Sequence, residues 1–343
     1  MRKLLNSLYV TSHGSSVLRQ GESVVVKVED EVRIQVPVAT LQSIVCFGPV
    51  FVSPPALELL GEAGVSLSFL SDSGRFIARM QGPVSGNVLL RREQFARTAD
   101  EGCREALARS VIIGKVANSR TVLQRGLRDH SPECRTSRLE KGVAELGVTL
   151  AGLRQEQSIE ALRGREGEAA ACYFGAFDDL VVAQKGDFHF QQRSRRPPLD
   201  NINALLSFVY ALLQHDVASA LEAVGLDPAC GFLHSLRPGR MALALDLMEE
   251  LRPCIADRLV LSLVNLQKVK GSGFTRSESG GVSMDDRTRR EVIVSYQKRK
   301  QEELLHPFTG EHTPVGLIPH VQATLLARHL RGELDAYPPF IWK

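Results

Sequence analysis

The sequence predicts an α+β protein: a small N-terminal β-rich domain over residues 1–85, then a larger, all-α domain over residues 86–343. Three observations predict it. Runs of β-branched residues separated by turn residues fill the first part. Apolar residues at helical spacing fill the second. Between them the stretch "GPVSGN" breaks both patterns with glycine and proline.

Within the first part, "SVVVKV" and "VRIQVPV" flank the acidic turn "EDE", which reads as a hairpin, and "SIVCFG" reads as a third strand. In "SPPALELLGEAG" a serine precedes two prolines and glycines follow, the pattern of a capped helix. "VSLSFLS" and "RFIARMQ" then flank the turn "DSG" as another strand pair. Beyond "GPVSGN", helical periodicity runs through "LLRREQFARTADEGCREALARSVIIGKVANSRTVLQRGL", "RLEKGVAELGVTLAGLRQ", "SIEALRGREGEAAACYFGAF" and "NINALLSFVYALLQHDVASALEAVG". It resumes in "MALALDLMEELRPCIADRLVLSLVNL", "RREVIVSYQKRKQEELL" and "HVQATLLARHLRGEL". Only "KVKGSGFTRSESGGVSMDD", rich in glycine and serine, reads as a loop or hairpin.

At 343 residues, with 43% apolar and 24% charged residues, the composition is that of a globular protein able to bury a core. Its six cysteines are scattered without a C-x-x-C pair, which argues against a disulfide framework or zinc knuckle and suits a reducing compartment. The N-terminus lacks the apolar run of a signal peptide, and "INALLSFVYALL" is too short to span a bilayer. A cytoplasmic location without membrane attachment is the expectation. The net charge is +3. Residues 1–90 carry seven basic and seven acidic residues, so the excess lies later, in "QQRSRRPP", "DDRTRREV" and "YQKRKQ". Arg193, Arg195, Arg196, Arg287, Arg289 and Arg290 are therefore candidate phosphate contacts, or simply solvated helix faces.

Chemistry-bearing residues gather in the helical part. Glu166 stands between Gly164 and Gly167, a bare setting that would let a DNA backbone or a neighbouring helix approach. His234 follows the apolar stretch "ACGFL". Asp246 and Glu249 are three apart and share a helix face, with Asp246 bordering the stripe Leu243, Leu247, Leu251, while Glu250 lies about 100° further round. Each alone fits an ordinary surface or core residue. Together they form a set of carboxylates and one imidazole without thiolate, which suits Mg²⁺ or Mn²⁺ rather than Zn²⁺. Acids brought together repel unless a cation neutralises them.

"LRGREGEAAACYF", "RSRRPPLDNINALLSFVYALL", "DPACGFLHSLRPGRMALALDLMEELRP" and "YPPFIWK" resemble, in order and spacing, the CRISPR-associated endonuclease of spacer acquisition, the adaptation integrase ("Cas-one"). The late "VQATLLARHLRGE" and the ending are most similar to its subtype I-C branch. The resemblance spans nearly the whole chain. It implies that the metal ligands are Glu166 in a G-x-E-G-like position, His234 in G-F-x-H and Glu249 closing D-x-x-[DE]. Asp246 would act one shell out. "PPLDNIN" departs from the commoner D-P-V-N form at Asn201 and Ile202. The resemblance further implies a homodimer, with the first domain dimerising and the second catalytic. The partners would be double-stranded DNA, as captured fragment and CRISPR repeat, and a small ferredoxin-like protein ("Cas-two"). The implied reaction is attack of a fragment 3′-hydroxyl on a phosphodiester. A general branched-DNA nuclease and a non-catalytic DNA-binding scaffold are the alternatives.

Overall fold

In the computed structural model, residues 7–71, 76–80, 82, 88–129, 137–155 and 158–342 are described. The expected turn at 72–74 and most of "GPVSGN" lie outside them. The chain divides into two compact units, Met1–Gly86 and Asn87–Lys343.

The first unit contains β1 (Ser7–Val10), β2 (Ser15–Gln20), β3 (Ser23–Val28), β4 (Glu31–Pro37), β5 (Ser43–Phe47), β6 (Phe51–Val52), α1 (Pro54–Glu62), β7 (Ser66–Leu70) and β8 (Phe76–Met80). They form two four-stranded sheets, ordered β4-β3-β2-β6 and β1-β5-β7-β8. The expected β3–β4 hairpin forms, closed by Glu29 and Asp30, both with positive φ, as a tight two-residue turn requires. Strands β1, β5 and β7 pair in parallel. Parallel partners need crossovers, and α1 lies on the connection to β7. Ser53 caps α1 by accepting from Ala56 N (3.4 Å), with Pro54 and Pro55 in the first turn. The core is a valine-rich layer of Val17, Val24, Val26, Ile44, Leu60 and Leu67.

The second unit is built on α2 (Val88–Ala99), α3 (Glu101–Asp129), α4 (Ser137–Gly152), α5 (Ile159–Gly175), α6 (Asn201–Ala223), α7 (Ala242–Glu249), α8 (Arg258–Asn265), α9 (Asp286–Gln301) and α10 (Ile318–Leu330). The expectation of an all-α unit is corrected by two short ribbons, β9 (Phe274–Arg276) with β10 (Val282–Met284), and β11 (Glu303–Leu305) with β12 (His312–Pro314). The first ribbon is the glycine- and serine-rich segment. The second takes "ELL", expected as the end of α9, because pairing with 312–314 outweighs a weak helical preference.

α3 packs against α4, α5 and α7. α6 starts where "DNIN" departs from the commoner form, and the start is intact: Asp200 Oδ1 accepts from Asn203 N (2.7 Å). At 23 residues α6 is longer than the apolar run inside it, and by length and composition it could cross a membrane. However, 67% of its most apolar window is buried inside the protein, as in a core helix. α7 ends at Glu249, and a π-helical stretch, Arg252–Asp257, precedes α8. Pro253 sits inside it, and proline removes an N–H that an α-helix would use.

A buried polar latch closes the back of α7. Glu250 is fully buried and points away from Glu249's side of the helix. Its Oε1 accepts from Tyr337 OH (2.6 Å) and Gln322 Nε2 (2.9 Å), and its Oε2 accepts from Phe340 N (3.0 Å). Asn118 on α3 donates to the carbonyls of Glu250 (2.6 Å) and Phe340 (2.8 Å) and accepts from Trp342 N (2.7 Å). His306 joins through Gln322 Oε1 (3.0 Å). Burial pushes the Glu250 carboxyl up to about 7, against the pull of its three donors. Gly114 permits the approach: a Cβ there would lie 2.9 Å from Glu250 Cβ and 3.1 Å from Pro339 Cβ.

Candidate functional site

Four segments of the second unit converge: α3, α5, the 231–234 loop and α7. α7 has no side-chain cap. Instead the Pro228 carbonyl accepts from Leu243 N (2.9 Å) and Ala244 N (3.2 Å), tying the helix start to the loop before it. Gln94 of α2, fully buried, donates to the carbonyls of Asp227 and Cys230 (2.9 Å each) and fixes the same loop. Gly231 cannot be larger, since a Cβ would sit 2.6 Å from the Ala242 carbonyl carbon and 2.7 Å from Asp246 Oδ2.

Asp246 is the hub of this loop. Its Oδ2 accepts from Phe232 N (2.6 Å) and Leu233 N (3.0 Å), and its Oδ1 accepts from His234 N (2.9 Å). The same Oδ1 is 2.7 Å from His234 Nδ1. A carboxylate can only accept, so Nδ1 is the donor here, and Nε2 is the ring nitrogen turned toward a ligand, the arrangement in which a carboxylate orients a metal-binding imidazole. Nε2 faces Glu249, 3.9 Å from its Oε1. Asp246, expected beside the stripe of Leu243, Leu247 and Leu251, is itself only 2% exposed, and α7 is buried on nearly every side.

Glu249 is 3% exposed. Its Oε1 accepts from Arg252, and its Oε2 lies 2.7 Å from Lys115 Nζ without hydrogen-bond alignment, so this buried oxygen has an ion-pair partner but no hydrogen bond. Burial pushes the carboxyl up, but Arg252 and Lys115 outweigh it and hold it at about 2. Lys115 also donates to Glu166 Oε1 from the other side. Glu166 and Glu249 are therefore brought together on one ammonium. Gly164 and Gly167, beside Glu166, have open space where a Cβ would be. Among the described residues nothing fills the approach that those glycines leave.

Among the described residues no three of His, Cys, Asp and Glu stand in a ready-made metal-binding cluster. Lys115 stands between the two carboxylates. The residues nevertheless fit a hard divalent cation: two carboxylates share one point of positive charge, Glu249 Oε2 is buried without a hydrogen bond, and the imidazole Nε2 of His234 lies 3.9 Å from Glu249 Oε1.

Three positioning groups escaped the sequence reading. Lys115 lies in an unbroken helical run with no motif around it. Arg252 follows the D-x-x-E pair and reaches back one turn, with its guanidinium 5.0 Å over the Tyr210 ring. Tyr210 OH in turn donates to Asp257 (2.6 Å), as does Tyr173 OH (3.0 Å). Arg163, one turn before Glu166, donates twice to the Leu233 carbonyl (2.9 and 2.6 Å) and so ties α5 to the His234 loop. Arg163→Ala is expected to lower Mn²⁺ affinity by about 10–100-fold, the range for orienting groups around a metal. Its thermal stability should fall by no more than about 1 kcal/mol, since one partly exposed contact is lost. Mn²⁺ titration beside a melting curve checks it, and parental affinity would remove Arg163 from the site.

The basic residues separate. Arg195, Arg196, Arg287 and Arg290 are exposed. Two depart from the expectation of free surface groups. Arg193 is mostly buried and donates to Asn203 Oδ1 (2.6 Å) and Ser207 Oγ (3.2 Å). Arg289 is 5% exposed and pairs with Asp286.

A family model described as CRISPR associated protein Cas1 matches residues 8–298. The chain is 48% identical over 343 residues to a Chlorobaculum tepidum protein named CRISPR-associated endonuclease Cas1 1, covering 100% of both chains. It is 47% identical over 347 residues to CRISPR-associated endonuclease Cas1 2 of Rhodospirillum rubrum, again 100% of each. A solved structure titled casposase bound to integration product shares the fold, with a TM-score of 0.85 at 22% identity over 98% of this chain and 94% of that one. With a match across most of its length and near-half identity to full-length relatives, the chain belongs to the CRISPR-associated Cas1 family.

Proposed function

We propose that this protein is a metal-dependent DNA endonuclease and integrase of CRISPR adaptation. The observation that carries the reading is the meeting of Glu166 and Glu249 on one point of positive charge, with His234 Nε2 3.9 Å from Glu249 Oε1. Relatives at 48% and 47% identity, named as CRISPR-associated endonucleases, support the same reading. Glu166, His234 and Glu249 would hold Mg²⁺ or Mn²⁺. When bound, such an ion polarises a phosphoryl oxygen and stabilises attacking and leaving oxygens. Asp246 accepts from His234 Nδ1 and so turns Nε2, rather than Nδ1, toward Glu249. Arg252 holds the Glu249 carboxylate in place, and Arg163 fixes the spacing between α5 and the loop. The 3′-hydroxyl of a captured fragment attacks a phosphodiester at the edge of a CRISPR repeat. One P–O bond forms as the P–O3′ bond of the repeat breaks, and water in place of the hydroxyl gives cleavage.

The substrates are then double-stranded DNA fragment and repeat. The working unit is a homodimer with a small ferredoxin-like partner ("Cas-two"), in the cytoplasm, of the subtype I-C kind that the C-terminal motifs resemble. The test is strand transfer of a labelled duplex into a plasmid carrying a repeat, with and without that partner, in Mn²⁺ or EDTA. Absence of both transfer and cleavage with every divalent cation would overturn the reading. The exposed arginines are the expected phosphate contacts. Arg195→Ala and Arg290→Ala should each weaken binding of unrelated duplexes alike and lower the salt slope by about 1. An unchanged slope would mark them as solvated faces.

A further inference from the structure

Lys115 is the group this arrangement leaves unexplained. Its side chain is 12% exposed, and its ammonium touches both Glu166 and Glu249, the pair proposed to bind the divalent ion. An ammonium and a divalent cation cannot both rest against the same two carboxylates, because like charges at such range repel strongly away from bulk water. One must give way.

The two cations of the cluster differ in how firmly they are held. The Arg252 guanidinium, 13% exposed and so no more buried than Lys115, is planar, paired with Glu249 and laid over Tyr210. The Lys115 charge sits at the end of a flexible four-carbon stem with rotatable donors. Its partner Glu166 is the more open carboxylate, with its side chain 28% exposed against 4% for Glu249. Lys115 can swing and Arg252 cannot. The charges agree. Glu166, Glu249, Lys115 and Arg252 sum to zero, so the carboxylates stay together without added metal. A divalent ion raises the sum to two positive charges, which suits a phosphodiester and the negative charge that spreads over its oxygens during transfer.

We propose that Lys115 is an exchangeable counter-cation: it holds Glu166 and Glu249 together in the metal-free protein, leaves them when a divalent ion binds, and then pairs with the DNA phosphate. The inference rests on the reading that these carboxylates take such an ion.

Two measurements on the full chain test it. In the first, free Mn²⁺ is followed by electron paramagnetic resonance during titration of the parent, Lys115→Met and Glu249→Ala. The parent should bind Mn²⁺ at a site that Glu249→Ala lacks. Lys115→Met should bind it at least about ten-fold more tightly, because its competitor is gone, and should show the larger Mn²⁺-induced rise in melting temperature. Lys115→Met binding no tighter than the parent overturns the exchange while leaving the metal site standing. A parent that binds no Mn²⁺ overturns both. The second measurement uses the parent alone, so it holds even if the variant fails to fold. Acetylation of Lys115 by acetic anhydride, read by peptide mass spectrometry, should be slow in EDTA, several-fold faster in Ca²⁺, and slow again in Ca²⁺ with duplex DNA. Equal labelling with and without Ca²⁺ overturns the exchange, and labelling that stays high with DNA overturns the phosphate contact.

Discussion

Glu249→Ala is expected to abolish strand transfer and cleavage at every practical Mn²⁺ concentration, and to destabilise the protein as well. Glu249 is the innermost of the proposed ligands and the partner of two largely enclosed cations, Lys115 and Arg252. Removing one member of a buried ion pair typically costs about 3–5 kcal/mol, because the remaining charge stays in place uncompensated. Here Arg252 keeps the Tyr210 ring and Lys115 keeps Glu166, which favours the lower end. The pH linkage agrees. A carboxyl held at about 2 against an ordinary 4.5 contributes about 3 kcal/mol. With the folded value depressed, that contribution is fully present above pH 4.5 and disappears as pH falls toward 2. Acid unfolding of the parent should therefore steepen over this window, and that of the variant should not. Denaturant melts across pH 2–5 and Mn²⁺-dependent strand transfer measure the two halves. DNA binding should persist, since the exposed arginines lie elsewhere in the sequence. A variant with near-parental transfer would remove Glu249 from the site.

Asp246→Asn should be nearly as damaging, for a different reason. Four donors surround the two oxygens of Asp246: three backbone N–H groups and His234 Nδ1. An asparagine of the same shape turns its NH₂ against two of them in either orientation. A buried donor left facing another donor costs about 1–3 kcal/mol, and here the 231–234 loop hangs on the contact. His234 loses both its tautomer control and its ring orientation. The expected result is a melting temperature clearly below the parent and activity down by about 100-fold, the upper end for an orienting group, with partial recovery in excess Mn²⁺. An Asp246 variant dead at every concentration beside an active Glu249 variant would exchange their roles.

The sequence showed the two-part architecture because its two periodicities differ and change abruptly. It also showed the acid pair, because three-residue spacing on a helix brings side chains to one face. Other features depend on partners far away in the chain. Strands β1 and β2 are short and serine-containing, and the parallel pairing of β1 with β5 leaves no mark in local alternation. "QEELL" has the composition of a helix and becomes β11 only through its partner at 312–314. In the site, Glu166, His234 and the D-x-x-E pair stand in recognisable strings, whereas Lys115 sits among ordinary helical residues. Mutual repulsion of the acids pointed to a divalent cation and not to Lys115 or Arg252, which stand beside Glu249.

The latch on Glu250 sets a timetable. Its donors Tyr337 and Phe340 are made long after the helix they close upon, and Asn118 waits longer still for Trp342. Contacts across such sequence separations form late, since the intervening loop must close before they give any stability. The back of the helix bearing Glu249 is thus closed only once residues 337–342 have left the ribosome. Until then a nascent chain carries every proposed ligand while the Glu250 carboxyl still lacks its Tyr337 and Phe340 donors.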